Sequence, residues 1–535
     1  GRDGVFDPST RNSWGPRFGE GEPVYDNLGE FFQTGTTFQN FLTMSGGSEK
    51  ATFLLSASQL NQKGVVPRSE YERVSVRLTG TAQFSPKISA SASANYINSG
   101  GERPLQGQGL FGNSAEPSGF FLSLVNWPSN DDARVYLNPD GTRRRLLGNA
   151  TPRNDPDNPY FTVYNNPQTD RNNRLIGNLT LTYLPAKWLN FTYTVGNDFY
   201  QERSRSVRAV GTSQPDYETG GLAETVTFNR VFTSNLLATL SHQFSENFSA
   251  SLLLGNALEL NQNRTNDQRG RIFQNPTFIS LNNTVERGVI QRFSDRNIVG
   301  NFARLNFDIF RQVTLELSGR YDQSSTLPRP DERKNFGKGF GYGAVAVGYE
   351  FTRTLGLDQN PILSYGKLRA SIAQVGKDTG PYRVDSPLTT NTFIGGGFRN
   401  GFFGSNPLLR PEKTVSYEVG LDLQFLKDRL RFDGAVYRQE TTDQLIAPRV
   451  SQATGFILQY LNGGTVVNKG IELSVSGTPV KLANGFTWDI GANFFHNRSS
   501  TSLPVSLGIV AQSEASVSDY VQGAAFPGKP LTGIG

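Results

Sequence analysis

The sequence predicts an all-β protein, a transmembrane antiparallel β-barrel, and three observations carry that prediction. Segments of roughly ten to fourteen residues alternate apolar and polar side chains, the period of a strand with one face in an apolar medium. The connections between them alternate short and long. Aromatic residues gather beside the short connections.

The alternation begins clearly between Arg73 and Phe84. Val74, Val76, Leu78, Gly80, Ala82 and Phe84 share one face, while Arg73, Ser75, Arg77, Thr79, Thr81 and Gln83 share the other. Ile88 to Tyr96 repeats it, with Ile88, Ala90, Ala92, Ala94 and Tyr96 set against Ser89, Ser91, Ser93 and Asn95. The same period runs through Leu175 to Tyr183, Leu189 to Phe199, Val313 to Tyr321 and Val415 to Phe425. A soluble β-sandwich also alternates in this way, so the connections discriminate. Tight turns are expected near Ser85-Pro86, Leu184-Pro185-Ala186, Ser245-Glu246, Phe310-Arg311 and Leu426-Lys427-Asp428. Long polar segments fill 99–171, 201–223, 262–288, 322–338, 377–412 and 442–463. One trimmed end and one elaborate end match a barrel with short periplasmic turns and long external loops.

Beside the tight turns stand Phe84, Tyr183, Trp188, Phe244, Phe248, Phe307, Phe310 and Phe425, and later Phe486 with Trp488. They read as the aromatic girdle of one membrane interface. The alternative is that aromatic residues favour strand ends in any β protein.

Composition narrows the class. The hydrophobic fraction is 36%, mean hydropathy is −0.42, and no apolar run approaches the roughly 20 residues of a spanning helix, so a helical membrane protein is excluded. The strand rhythm runs without a Pro/Gly-rich linker, and residues 1–535 read as one partial barrel domain. Cysteine is absent, which fits a chain exported to an oxidising compartment and held by ladder hydrogen bonds. The formal charge of +5 is spread among nearly as many acids as bases, without the basic stripe that nucleic acid requires, so no nucleic-acid partner is expected. About sixteen strands are expected from Thr36 to Ile490 and slightly beyond. A sheet with two free edges cannot sit in lipid, because each unpaired backbone group there costs several kcal/mol. Further strands are therefore expected before Gly1, after Gly535, or both.

Short motifs support a family resemblance. Asn12-Ser13-Trp14-Gly15-Pro16-Arg17 is followed by Phe31-Phe32-Gln33-Thr34-Gly35, by Ser45-Gly46-Gly47-Ser48-Glu49-Lys50-Ala51-Thr52-Phe53 and by Lys63-Gly64-Val65-Val66-Pro67. Later come Asp157-Asn158-Pro159-Tyr160, Lys367-Leu368-Arg369-Ala370-Ser371, Pro411-Glu412-Lys413-Thr414 and Asn468-Lys469-Gly470-Ile471-Glu472-Leu473. In order and spacing these resemble the SusC/RagA family of TonB-linked outer-membrane transporters. Tyr321-Asp322-Gln323-Ser324-Ser325 and Ala373-Gln374-Val375-Gly376 depart from the family pattern. The resemblance implies a barrel of about 22 strands, about 16 of them in this chain, closed by an N-terminal plug. That plug, the TonB box and the last strands have no counterpart here.

Chemistry-bearing clusters are sparse. His242 and His496 are the only histidines and sit within strands near interface aromatics; with no cysteine to join them, no catalytic, metal or cofactor site is expected. Asp131-Asp132 and Asp155 with Asp157 lie in the longest loop, where a solvated surface is the first reading and calcium the second. Gly395-Gly396-Gly397 lacks the GK[ST] of a phosphate loop and reads as a loop tip. Trp127, Tyr136, Tyr160, Phe161, Phe398, Phe402 and Phe403 are the candidate contact residues for a ligand or partner, or else members of the loops' own small core.

The functional expectation from the resemblance is TonB-dependent import of an oligosaccharide or peptide. Its partners would be outer-membrane lipid, a SusD-like lipoprotein lid, and the TonB-ExbB-ExbD system acting through the missing N-terminal region. The rival expectation is a structural or docking barrel subunit of a larger envelope assembly. A passive porin ranks below both.

Overall fold

A computed structural model describes residues 18–105, 119–146, 156–213, 218–329, 336–357, 360–385, 388–391 and 397–503, with the short stretches 510–511, 523–525 and 533–534. Asn12–Arg17, Asp155, Gly395 and Gly396 therefore lie outside the described residues. Sixteen strands form one sheet in strict chain order. They are β1 (Thr36–Gly47), β2 (Ala51–Lys63), β3 (Glu70–Ser85), β4 (Ile88–Arg103), β5 (Gln168–Ala186), β6 (Leu189–Val210), β7 (Thr219–Ser245) and β8 (Phe248–Phe273). The series continues through β9 (Thr284–Ile309), β10 (Val313–Ser324), β11 (Phe340–Glu350), β12 (Leu363–Lys377), β13 (Glu412–Phe425), β14 (Leu430–Thr442), β15 (Thr465–Lys481) and β16 (Thr487–Ser502). Every neighbouring pair is antiparallel.

Antiparallel register carries side-chain parity from strand to strand, so one strand's faces assign the rest. Leu78 stands opposite Ala94, Ala92 opposite Leu179, Val195 opposite Leu179, and Leu317 opposite both Leu305 and Val345. These residues make one apolar face, and Leu78, Leu179 and Val345 are exposed on it. The other face carries cross-strand hydroxyl pairs: Ser58 with Ser75 at 2.7 Å, Thr180 with Thr194 at 3.0 Å, and Thr414 with Thr441 at 2.9 Å. The apolar face suits lipid and the hydroxyl face a polar lumen.

At the short-turn end the aromatic band is present. Phe84, Tyr183, Trp188, Phe244, Phe310, Phe486 and Trp488 are all exposed. Phe248 links Phe244, at 5.3 Å between ring centroids, to Phe307, at 6.1 Å. Phe310 and Arg311 both have positive φ, 55° and 54°, in the three-residue connection 310–312 between Ile309 and Val313, where the left-handed conformation suits the right-handed twist of the flanking strands. The turn expected near Leu184-Pro185-Ala186 falls at Lys187-Trp188, because β5 continues to Ala186 through an irregularity after Tyr183.

The long-loop end needs a larger correction. The segments 201–223 and 262–288 are mostly strand, not loop, because β6, β7, β8 and β9 run for 22, 27, 26 and 26 residues. Only 211–218 and 274–283 connect them. A crossing strand needs about 9–11 residues, so these four project well past the apolar band. Beyond lipid neither face must be apolar, and cross-strand ion pairs stabilise the projection. Arg205 meets Glu224 at 3.2 Å, and Arg271 meets Glu286 at 2.9 Å. β1 and β16 each have one ladder neighbour among the described residues.

Candidate functional site

The connection between β4 and β5 is a built structure. Helix α1 (Asn27–Phe31) precedes β1, while α2 (Phe120–Val125) and α3 (Pro159–Asn165) lie within the connection. Asn158 caps α3: its side-chain oxygen accepts from the backbone N–H of Tyr160 and Phe161, and Pro159 supplies a first-turn residue that lacks only an N–H the helix would leave free. The Asn158 amide also donates to the Ala133 carbonyl at 2.8 Å. Asn27 works in the same way from α1, donating to the Pro128 and Asp131 carbonyls and accepting from the Ala133 N–H. Phe31, Phe120, Leu124 and Val163 bury one another into a small core, with the Phe31 and Phe120 rings 5.5 Å apart.

A buried ion pair ties this block to the β6–β7 connection. Arg143 lies 3.1 Å from Asp157, with both side chains 1% exposed. The Arg143 guanidinium donates to the carbonyls of Gly211 and Pro156, and Asp157 accepts from the Thr212 hydroxyl and the Ser213 N–H. Asp157, expected on a solvated surface, is thus a structural anchor. Asp131 accepts from the Trp127 indole and from Arg144, and Asp132 holds Arg134. That contact with Arg134 keeps the Asp132 carboxyl below its ordinary range.

The predicted aromatic residues divide into two groups. Trp127 and Phe161 are 7% and 2% exposed and belong to the loop's own core. Tyr136 and Tyr160 instead join Tyr164 in an array of near-parallel rings, with centroid separations of 6.5, 5.8 and 6.3 Å and interplanar angles of 9–16°. Three nearly equal separations exclude a column, in which the longest would be the sum of the other two. The rings are a triangular tiling, and Tyr164, absent from the sequence-derived set, is its most exposed member, 43% accessible. Phe31 abuts Tyr160 edge-on at 4.9 Å, and burial raises the Tyr160 phenol above its ordinary pKa. Arg134 at the border pairs with both Asp132 and Glu30. The i, i+4 spacing of Tyr160 and Tyr164 behind a capped Pro159 was the available signal.

A second aromatic group lies on the β12–β13 and β14–β15 connections. Phe402 and Phe403 are both exposed, and Phe403 stacks on Tyr460 at 5.1 Å. Arg383 sits over the Tyr460 ring at 4.7 Å. Phe398 falls on the short strand Gly397–Asn400, but its side chain lies outside the described residues. Asp378 joins further rim segments, accepting two bonds from Arg296, both 2.9 Å, and others from Ser324 and Thr326. On the hydroxyl face near the short turns, a concavity of about 670 Å³ is lined by Ser241, Ser251, Asn306, Glu316, Lys367 and Arg369. Among the described residues no group of three or more His, Cys, Asp or Glu side chains could hold a metal ion.

An apolar outer face with an aromatic band, a polar inner face and a tied external rim define a transmembrane β-barrel of the outer membrane. The model of the TonB dependent receptor-like β-barrel matches residues 106–534, and the chain belongs to that family. TonB-dependent receptor P26 of Formosa agariphila is 25% identical over 467 residues, covering 84% of this chain and 44% of that protein. TonB-dependent receptor SusC of Bacteroides thetaiotaomicron is 21% identical over 505 residues, covering 88% and 47%. The chain thus spans about half the length of these curated relatives. Among solved structures, the RagAB peptide transporter superposes with a TM-score of 0.80 at 19% identity, over 95% of this chain and 55% of that one. The siderophore receptor PiuA from Acinetobacter baumannii gives 0.51 at 13% identity, covering 86% and 62%.

Proposed function

We propose that the whole protein imports a large nutrient, an oligosaccharide or a peptide, across the outer membrane. Its TonB-ExbB-ExbD coupling acts through an N-terminal plug region outside residues 1–535, and a SusD-like surface lipoprotein closes its mouth. The observation that carries this reading is the cross-tied external rim. A structural barrel has no need of ordered aromatic surfaces around a polar opening, whereas a receptor that captures solute and seats a lid does. The lumen-facing concavity, with Ser241, Ser251, Asn306, Glu316, Lys367 and Arg369 in its lining, offers hydrogen-bonding groups to a hydrated solute along the wall. The names of SusC and of the RagAB peptide transporter favour the same class.

The test uses the complete gene in a deletion strain. Tyr136→Ala with Tyr164→Ala, and Phe402→Ala with Phe403→Ala, should lower uptake of labelled oligosaccharides or peptides and weaken co-purification of the lipoprotein. Heat-modifiable barrel mobility should stay unchanged. Uptake should also vanish when TonB is removed. If the complete protein supports no TonB-dependent uptake of either solute class, the docking-subunit reading replaces this one.

A further inference from the structure

Strand lengths differ sharply around the sheet, and one step between neighbours leaves an open ladder outside the membrane. β9 runs for 26 residues and pairs with β8 from Thr284 downwards, but β10 has only 12 residues and pairs with β9 from Ile298 to Ile309 alone. The upper part of β9 therefore has a strand neighbour on one side only. Both adjacent strands are present, so this edge comes from unequal lengths and not from the two ends of the sheet. Phe293 lies sixteen residues above Ile309, about 40 Å up at about 3.4 Å per residue and a tilt of about 40°, beyond the apolar band of about 25 Å. Lipid does not cover it.

The register of β8 with β9 is unbroken from Arg271 and Glu286 to Phe248 and Ile309, so the direction of the backbone groups alternates strictly. Asn297 fixes the phase. Its N–H donates to the Ser325 hydroxyl at 2.9 Å, and its carbonyl accepts from the Ser325 N–H at 2.8 Å, both on the side away from β8. Val285, Arg287, Val289, Gln291 and Phe293 share that parity and turn N–H and C=O to the open side, where these groups have no partner among the described residues. Residues 285–293 are all exposed and contain neither the Pro, the Lys nor the bulge that commonly blunts an edge. Glu286 is taken by Arg271 at 2.9 Å. Arg287, which donates to the Asn282 and Thr284 carbonyls, and Arg292 have no acidic partner among the described residues.

We propose that this edge captures an extended peptide as an added antiparallel strand on its way to the lumen, a step that rests on the proposed import of peptides. Donors and acceptors in pairs about 7 Å apart match a polypeptide backbone and not the hydroxyls of an oligosaccharide. Exposed Val285, Val289 and Phe293 on one face and Ile290 on the other offer apolar contacts to its side chains, and the two acid-free guanidinium groups select acidic ones. Pairing ends at Asn297, where Ser325 occupies the ladder, so the added strand is short, as suits a solute that must be released. A second copy in the same membrane presents this edge in the same direction and cannot supply an antiparallel partner to it.

The complete protein in detergent is titrated with the capped, fluorescently labelled peptide Val-Glu-Thr-Val-Val-Thr-Glu, whose glutamates stand opposite Arg292 and Arg287 when it aligns antiparallel. Methylating the peptide nitrogens that face the edge should abolish binding, whereas methylating the alternate nitrogens should leave it. Val289→Pro with Gln291→Pro removes two donors from the open side without touching the β8 ladder and should weaken binding about twenty-fivefold, at about fivefold per main-chain hydrogen bond. No binding by the unaltered protein, binding that ignores which nitrogens are methylated, or undiminished binding by the folded double-proline variant overturns the proposal. If that variant fails to fold, the two methylated peptides decide on the unaltered protein. Uptake of the same peptide by cells is measured in parallel. TonB-dependent uptake with binding blind to methylation refutes the edge and keeps the import reading, and methylation-sensitive binding without uptake does the reverse.

Discussion

Replacing Asp157 by Asn should detach the external block from the β6–β7 connection without disturbing the membrane ladder. The carboxylate faces Arg143 at 3.1 Å with both side chains almost wholly buried, and it also accepts from Thr212 and Ser213. Asparagine is nearly isosteric and keeps an acceptor, but it removes the negative charge that faces a buried guanidinium, which still donates to the Gly211 and Pro156 carbonyls. Breaking a buried pair from one side costs about 3–5 kcal/mol, which multiplies the local opening equilibrium by about 150 to several thousand. Replacing both, Arg143→Met with Asp157→Leu, leaves no buried charge and should cost less than the single change. Hydrogen exchange on the full-length protein reads this directly. Amides of 156–166 and 209–213 should exchange faster by that factor in Asp157→Asn, while those of β3 and β4 stay protected. Exchange unchanged in Asp157→Asn, or faster still in the double variant, would refute the reasoning.

Three further outcomes are expected. Ala92→Arg places a charge against lipid in mid-band, four residues above Ile88, and should cost about 2–4 kcal/mol in a refolding titration, whereas Ser91→Arg, facing the lumen, should cost much less; equal costs would reverse the face assignment. Arg311→Gly removes a side chain from a position with φ 54° and should stabilise the β9–β10 hairpin by about 0.5–1 kcal/mol, the left-handed penalty less the entropy of glycine, read as a shift in denaturant midpoint. Because burial raises the folded-state pKa of Tyr160 above the ordinary phenol value, about 10, its contribution is fully present below the unfolded value and is lost as pH rises from there through the folded value. Alkaline titration followed by tyrosinate absorbance should therefore loosen the tyrosine array only above that point, and Tyr160→Phe should abolish the effect.

The membrane-crossing part was legible because lipid enforces a strict period of two: every strand read from alternation, from Arg73–Phe84 to Val415–Phe425, lies inside an observed strand. What lay above the lipid was not. Gln201-Glu202-Arg203-Ser204-Arg205-Ser206 is strand in β6 yet polar at every position, and such a run reads as loop because nothing forces one face to be apolar. The rim was half legible for a related reason. Aromatic identity marks residues that bury area but not which side they bury it on, so Trp127 and Phe161 stood in the same set as Tyr136 and Phe403. Tyr460 and Arg383 meet across segments far apart in sequence, a contact that no local pattern encodes.

The tall hairpins of β6 to β9 also bear on how such a rim can change over generations. A hairpin lengthened by two paired residues keeps every existing side chain on its own face and adds new backbone bonds as it grows. Growth by one residue would invert all positions beyond it, unless a bulge absorbed the change. The projecting walls can thus be raised or lowered in paired steps while the lipid-crossing segment keeps its sequence. The height of the mouth is free to drift in a protein whose membrane anchor is not.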